Sequence, residues 1–320
     1  EAQAPTEWLV KDIIPKENLV FVLAQAGVGK SFWVEQLGVS VAFEKPFMGV
    51  DVEGGDVLIV DQDTNTPVLR QRLAKFGAYY KTKPKYNLYW QSMENLSLKN
   101  TSLIDCVNSY PTVKLVIIDS LTSVSMGLNM CEEKDMGHLN KFKKCLRPNL
   151  TIIITHHISE KKTWSVDKLM TCDPHGLSMY SSVINQQADT YFVVGSNDIG
   201  KRLTKLYIRP VTKRTVIDHE AFTCDLVELN GHLHFDDLQP YDISKSDILS
   251  DIEEDILTWL KEEAEEKGIK DICRGLGDLH SEQALREATN MLRQKKLVSF
   301  RRHKHNQYGF TYKEREAKND

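Results

Sequence analysis

The run Ala24-Gln25-Ala26-Gly27-Val28-Gly29-Lys30-Ser31 has the residue types of a phosphate cradle. Glycines let successive backbone N–H groups turn inward around an anion. The lysine reaches the β- and γ-phosphates of a nucleoside triphosphate, and the serine hydroxyl can bind Mg2+. An apolar run at 19–23 precedes the segment and a helical stripe of Val34, Leu37 and Val41 follows it, the flanks that a P-loop needs. Ala24 stands where such a motif usually opens with glycine. Gln25, Ala26, Gly27, Val28, Gly29, Lys30, Ser31 and the adjoining Phe32 are therefore the candidate nucleotide-binding residues, suited to ATP with Mg2+.

Two further apolar runs end in acids. Residues 113–119 finish at Asp119, and a carboxylate at the tip of a strand beside the P-loop strand can hold Mg2+ through water, so Asp119 joins Ser31 as a metal candidate. Residues 57–63 finish in Asp61-Gln62-Asp63, whose acids either orient or deprotonate the water that attacks the γ-phosphate or simply terminate the strand. A third run, 151–155, leads into His156-His157, a polar tip able to touch the γ-phosphate, although a histidine pair is also a common structural or surface feature. No third ligand stands near it at a metal-binding spacing, which argues against zinc.

A parallel sheet is what would bring these residues together. The runs 19–23, 57–60, 113–118 and 151–155 are apolar throughout, the pattern of strands buried on both faces. Helical stripes separate them, among them Leu69, Leu73 and Phe76, with Thr66 as the expected cap and Pro67 as the first helical residue. Alternation of this kind means an α/β fold with a mostly parallel sheet. Beyond Asp189 the pattern changes to closely spaced strands at 191–194, 205–209, 216–217, 226–229 and 232–235, the last two around an Asn230-Gly231 hairpin turn. The core is expected over 1–235, a linker over 236–249, a second small domain over 250–314 and a polar tail over 315–320.

In the second domain Ile252, Ile256 and Leu260 share one helical face. Ser281 caps a helix that runs through Gln294 and buries Leu285, Ala288 and Leu292, and 297–301 pairs with 308–312. Helix, short helix, helix and hairpin is the winged-helix order, so the small domain is expected to be an α+β winged helix. Its charge is lopsided: 251–270 has eight acidic and three basic residues, whereas 293–313 has seven basic and none acidic. Arg293, Lys296, Arg301, Arg302 and Lys304 make the basic side a candidate DNA contact, while the acidic first helix fits protein binding instead.

The chain of 320 residues has 41% hydrophobic and 27% charged side chains, which excludes a disordered or collagen-like polypeptide. No apolar run approaches the ~20 residues of a membrane-spanning helix. A net charge of −4 means that any nucleic-acid contact must be local. The six cysteines lack C-x-x-C spacing, as expected of a reducing cytoplasm. The chain opens at Glu1 without a signal-peptide pattern and reads as part of a longer polypeptide.

From Glu7-Trp8-Leu9 to about Val216, the order of motifs resembles the RecA-fold P-loop ATPases, and among them the plasmid- and phage-type hexameric replicative helicases. Trp8-Leu9 ahead of a strand and the P-loop is similar to that branch's opening. The resemblance implies that Asp63 is the catalytic acid, shorter than the family's glutamate, and that Arg72 of Arg72-Leu73 lies on the adenine. It makes Asp119-Ser120-Leu121 the second nucleotide motif and His157 of His156-His157, with Ser159 and Lys161, a γ-phosphate sensor. Tyr180-Ser181-Ser182-Val183 through Asp189 is similar to the family's Gly-Ser-Ser turn and helix, with Tyr180 replacing the glycine. Arg214 of Val211-Thr212-Lys213-Arg214 takes the place of a finger reaching into a neighbouring subunit's nucleotide, with Arg209 and Lys213 as substitutes. In such rings the loops at about 121–135 and 159–176 face the central channel. That would put Lys161, Lys162 and Lys168 on the phosphates of single-stranded DNA and stack Trp164 on its bases. A solvated loop has the same composition.

The expected function is thus an ATP-hydrolysing DNA helicase motor of a replication protein, a hexameric ring that translocates on single-stranded DNA. Its partners would be that strand, further copies of itself and a primase or polymerase module, with no membrane involved. Two alternatives stay open: a RecA-fold ATPase that coats or remodels DNA without unwinding it, and a nucleotide-switched DNA-binding protein.

Overall fold

In the computed structural model the apolar, β-branched runs become the strands of one large sheet. It describes residues 6–128, 133–158, 166–171, 187–197, 205–212, 220–241, 251–263, 267–277, 279–294, 297–302 and 308–312. The chain forms two compact units, one of Glu1–Thr163 with Asp173–Tyr241, the other of Trp164–Cys172 with Asp242–Asp320.

The first unit opens with a small antiparallel pair, β1 (Trp8–Val10) and β2 (Ile14–Pro15). Then follow β3 (Leu19–Ala24), α1 (Lys30–Phe43), β4 (Asp56–Asp61), α2 (Thr66–Tyr79), β5 (Leu88–Ser92), α3 (Ser102–Asn108) and β6 (Val113–Asp119). After these come α4 (Leu121–Val124), α5 (Glu133–Cys145), β7 (Thr151–His157), β8 (Thr190–Gly195), β9 (Lys205–Thr212), β10 (Phe222–Leu229), β11 (His232–Phe235) and β12 (Gln239–Pro240). The sheet order is β11-β10-β9-β8-β3-β7-β6-β4-β5, with β12 beside β10. From β8 to β5 all pairings are parallel, and from β8 through β9 and β10 to β11 they are antiparallel. This is a RecA-type sheet, the P-loop strand at its centre and β7 between it and β6.

Both faces are covered, as the uninterrupted apolar strands require. Val20, Val22, Val57, Ile59, Leu115 and Ile117 pack with Trp33, Val34 and Leu37 of α1 and with Leu69, Leu73 and Phe76 of α2. Each buried aliphatic side chain contributes about 1.5–3 kcal/mol. The single stripe expected on α1 understates its burial: Trp33, Glu35, Gln36, Val39 and Ser40 are buried as well, because α2 and β11 pack against the helix too. On its sheet side Gly38 lets the helix sit close, since a Cβ there would lie 3.1 Å from Ile117 Cδ1.

Three expectations change. The cap of α2 is Asn65, whose side chain accepts the Val68 N–H at 3.1 Å, so the helix starts at Thr66 with Pro67 in its first turn. The first unit runs to Tyr241, past the expected edge at 235, because Gln239 and Pro240 pair with Thr223 and Phe222. A short helix, α6 (Val166–Thr171), with Val166, Leu169 and Met170 buried, belongs to the second unit although it falls inside the expected core. The expected strand at 216–217 lies outside the described residues.

The second unit continues with α7 (Asp251–Glu263), β13 (Lys267–Gly268), α8 (Ile269–Leu276), α9 (Glu282–Gln294), β14 (Val298–Arg302) and β15 (Tyr308–Tyr312). Its sheet order is β13-β15-β14, antiparallel. Ile256, Leu260, Ile272, Leu285, Leu292 and Phe310 form its core. Among the described residues no helix is long and apolar enough to cross a membrane.

Candidate nucleotide site

Register aligns the chemistry at one edge of the sheet. Ala24 pairs with His157, and Asp61 pairs with Asp119, so the carboxyl ends of β3, β7, β6 and β4 finish together. That edge is where open α/β sheets bind ligands. The chain leaves β3 through Gly27 at φ +74° and Gly29 at φ +101°, left-handed values that a side chain would strain. Gly29 caps α1 without a side-chain hydrogen bond, leaving the first N–H groups of the helix for an anion.

Lys30 is the first residue of α1 and is buried, its Nζ 3.4 Å from both ring nitrogens of His157. Burial pulls its pKa down, while Asp119, Asp63 and Asp61 pull it back up. Thr155 donates its hydroxyl to Asp119 Oδ1, and the Ser120 hydroxyl donates to Asp63 Oδ2 at 3.1 Å. His156 is fully buried and stays neutral at pH 7, because burial, with His157 and Lys30, pushes its pKa down to about 3. Asp61 and Asp63 differ in their surroundings. Asp61 is 1% exposed and its Oδ1 accepts the N–H groups of Asp63 and Thr64, each at 2.8 Å, so it shapes the turn; Asp63 stands beyond that turn.

The donor set fits Mg2+. Asp61, Asp63 and Asp119 all act on one lysine, which leaves an excess of negative charge, and Asp61 Oδ2 is buried without a hydrogen-bond partner among the described residues. Burial, and after it the charge of Asp119, push the Asp61 pKa up. Hard carboxylate and hydroxyl oxygens around a triphosphate are Mg2+ ligands.

From the P-loop a cleft of about 590 Å³ runs between α2 and β10 and β11, lined by Gly27, Gly29, Lys30, Ser31, Phe32, Thr64, Val68, Gln71, Arg72, Lys75, Leu226, Glu228 and Leu233. Of this lining, Gly27, Gly29, Lys30, Ser31, Phe32 and Arg72 were expected from the sequence. Sequence reading missed the far wall, Leu226 and Leu233, and the Lys75–Glu228 ion pair at 2.8 Å, since nothing local links 226–233 to α2. It also missed Ser120 and Thr155 as supports of the acids, and Glu35, whose one signal was an acid beside the apolar stripe of α1.

Residues 1–162 match the sequence profile of a family described as "AAA domain", half of the chain. The chain belongs to the AAA domain family. With its P-loop and strand order, this AAA domain protein is a RecA-type P-loop ATPase in its first unit. One solved structure, an ATPase domain, superposes with a TM-score of 0.46 at 12% identity, covering 70% of this chain and 85% of that one. No curated protein matches the chain in sequence.

Of the remaining candidates, Lys161, Lys162, Trp164, the segment 180–186, Lys213, Arg214, Lys296 and Lys304 lie outside the described residues. Lys168 falls on α6, in the second unit. Arg209 sits on β9 opposite Val193, half-buried. Arg293 is exposed on α9, and Arg301 and Arg302 lie on β14 opposite Gly309 and Tyr308.

Proposed function

We propose that this protein is the ATP-driven motor of a hexameric DNA helicase of a replication system, moving along single-stranded DNA and hydrolysing ATP at subunit interfaces. The observation that carries the hydrolysis step is the joined edge of Lys30, Asp63, Asp119 and His157, with both acids held by neighbouring hydroxyls. Ser31 and, through water, Asp119 would hold Mg2+, which neutralises charge on the β- and γ-phosphates when bound. Lys30 binds the same phosphates. Asp63, fixed by Ser120, orients the attacking water and takes its proton. His157, beside Lys30 at the tip of β7, senses the γ-phosphate and passes its loss along the strand.

Assembly follows from the resemblance to ring-forming ATPases: a cation that a neighbouring subunit brings to the γ-phosphate makes hydrolysis depend on assembly, and Arg214 is the candidate. Lys161, Lys162, Trp164 and Lys168 are proposed to meet the threaded strand, and the basic side of the second unit, read as a winged helix, to bind duplex phosphates.

The test is mass photometry with and without a non-hydrolysable ATP analogue and single-stranded DNA, followed by release of an annealed strand. Ligand-dependent hexamers that release the strand are expected. Persistent monomers overturn the motor, and DNA-stimulated hydrolysis without strand release assigns a remodelling ATPase instead.

A further inference from the structure

Glu35 lies on the sixth position of α1, faces α2 and is 2% exposed, a costly place for a carboxyl. Its Oε1 accepts a hydrogen bond from Arg72 Nη1 at 3.0 Å, while its Oε2 is buried without a hydrogen-bond partner among the described residues. Arg72 is in turn held against a ring, its guanidinium carbon 4.8 Å from the Phe32 centroid. Phe32 and Arg72 both line the cleft that runs on from the P-loop between α2 and β10 and β11. A long arginine side chain is thus fixed from two directions before any ligand arrives.

The geometry points to Glu35 as a positioning residue for the nucleobase: it pins Arg72 so that the guanidinium forms one wall of the base pocket, opposite Leu226 and Leu233. The inference deepens the nucleotide-site reading above and rests on it. Glu35 touches no ligand itself; it removes the ordering cost that a free arginine would bear each time a base binds. A buried pair kept only for packing predicts no such dependence, because replacing it with apolar side chains is often neutral for stability.

The test uses the full chain with Mg2+ and two probes, ATP and inorganic tripolyphosphate, which shares the phosphates and lacks the base. E35L keeps an apolar fit in the buried site and removes the acceptor. It is expected to weaken ATP about two- to tenfold, with tripolyphosphate unchanged, while E35Q, which can still accept from Arg72, binds both as the wild type does. R72L gives the same base-selective loss and remains informative if E35L does not fold. The double variant E35L/R72L binds ATP no more weakly than R72L alone. Equal losses for both probes, an unchanged E35L, or additive losses in the double variant overturn the inference. Wild-type protein that binds tripolyphosphate but not ATP overturns the base pocket alone, and failure to bind either probe overturns the nucleotide site as well.

Discussion

Glu35 makes the native state sensitive to alkali, and the sign follows from its surroundings. An unfolded glutamate loses its proton near pH 4.5, whereas burial, opposed by Arg72 and reinforced by Asp119 and Asp61, pushes the folded carboxyl up to about 8. Between those values the folded chain keeps a proton that the unfolded chain has released. Stability therefore falls as pH rises from 4.5, at up to about 1.4 kcal/mol per pH unit, and the loss is complete above 8. Over the whole interval the ceiling is roughly 5 kcal/mol; with the Arg72 side chain 25% exposed and able to draw in solvent, a loss on the order of 2 kcal/mol is expected. A glutamine at 35 cannot ionise and escapes it. At about 2–4 °C per kcal/mol for a domain of this size, E35Q should melt roughly 4–8 °C above the wild type at pH 9 and level with it at pH 5. Tryptophan fluorescence during heating reads this, since Trp33 is buried in the same core. Parallel melting curves for the two proteins across that pH range would refute the burial argument.

Asp63→Ala should lower ATP turnover by about 10²–10⁴-fold and leave fluorescent-nucleotide affinity within about twofold, because in the proposed site Asp63 acts on water and Lys30 on phosphate; phosphate release and nucleotide titration separate the two, and undiminished turnover assigns the base elsewhere. Arg214→Ala and Lys30→Ala subunits, each inactive alone, should regain part of the ATPase rate when mixed, since in the proposed ring each supplies what its neighbour lacks. A mixture as dead as its components argues against a finger in trans. Trp33→Ala removes a fully buried ring that contacts Phe47 and Phe192 at centroid distances of 5.3 and 5.2 Å, and should cost about 3–5 kcal/mol in chemical denaturation; a loss under 1 kcal/mol would mean that the core closes over the gap.

Much of the fold was legible because its signals are local. The apolar runs ending at Ala24, Asp61, Asp119 and His157 became strands, and Asn230-Gly231 joined β10 to β11 through a turn with both residues at positive φ. Gly29 and Lys30 fell at the start of α1, as a strand-to-helix phosphate loop requires. Less legible were boundaries set by pairing, such as β12 on β10, and the depth at which α1 is buried, which depends on what covers it.

What the sequence determined by itself is the P-loop, the acidic and histidine strand tips, and hence a parallel α/β core built to hold a triphosphate. Residue types, two-residue turns and uninterrupted apolar runs act over a few neighbours, so they can be read along the chain. Only the tertiary structure decided which tip meets which and what supports them: Lys30 beside His157 across 127 residues, Thr155 on Asp119 across 36, Arg72 on Glu35 across 37. Such contacts follow from strand order and helix packing, where burial sets the energy of a charge, and no local pattern carries that information.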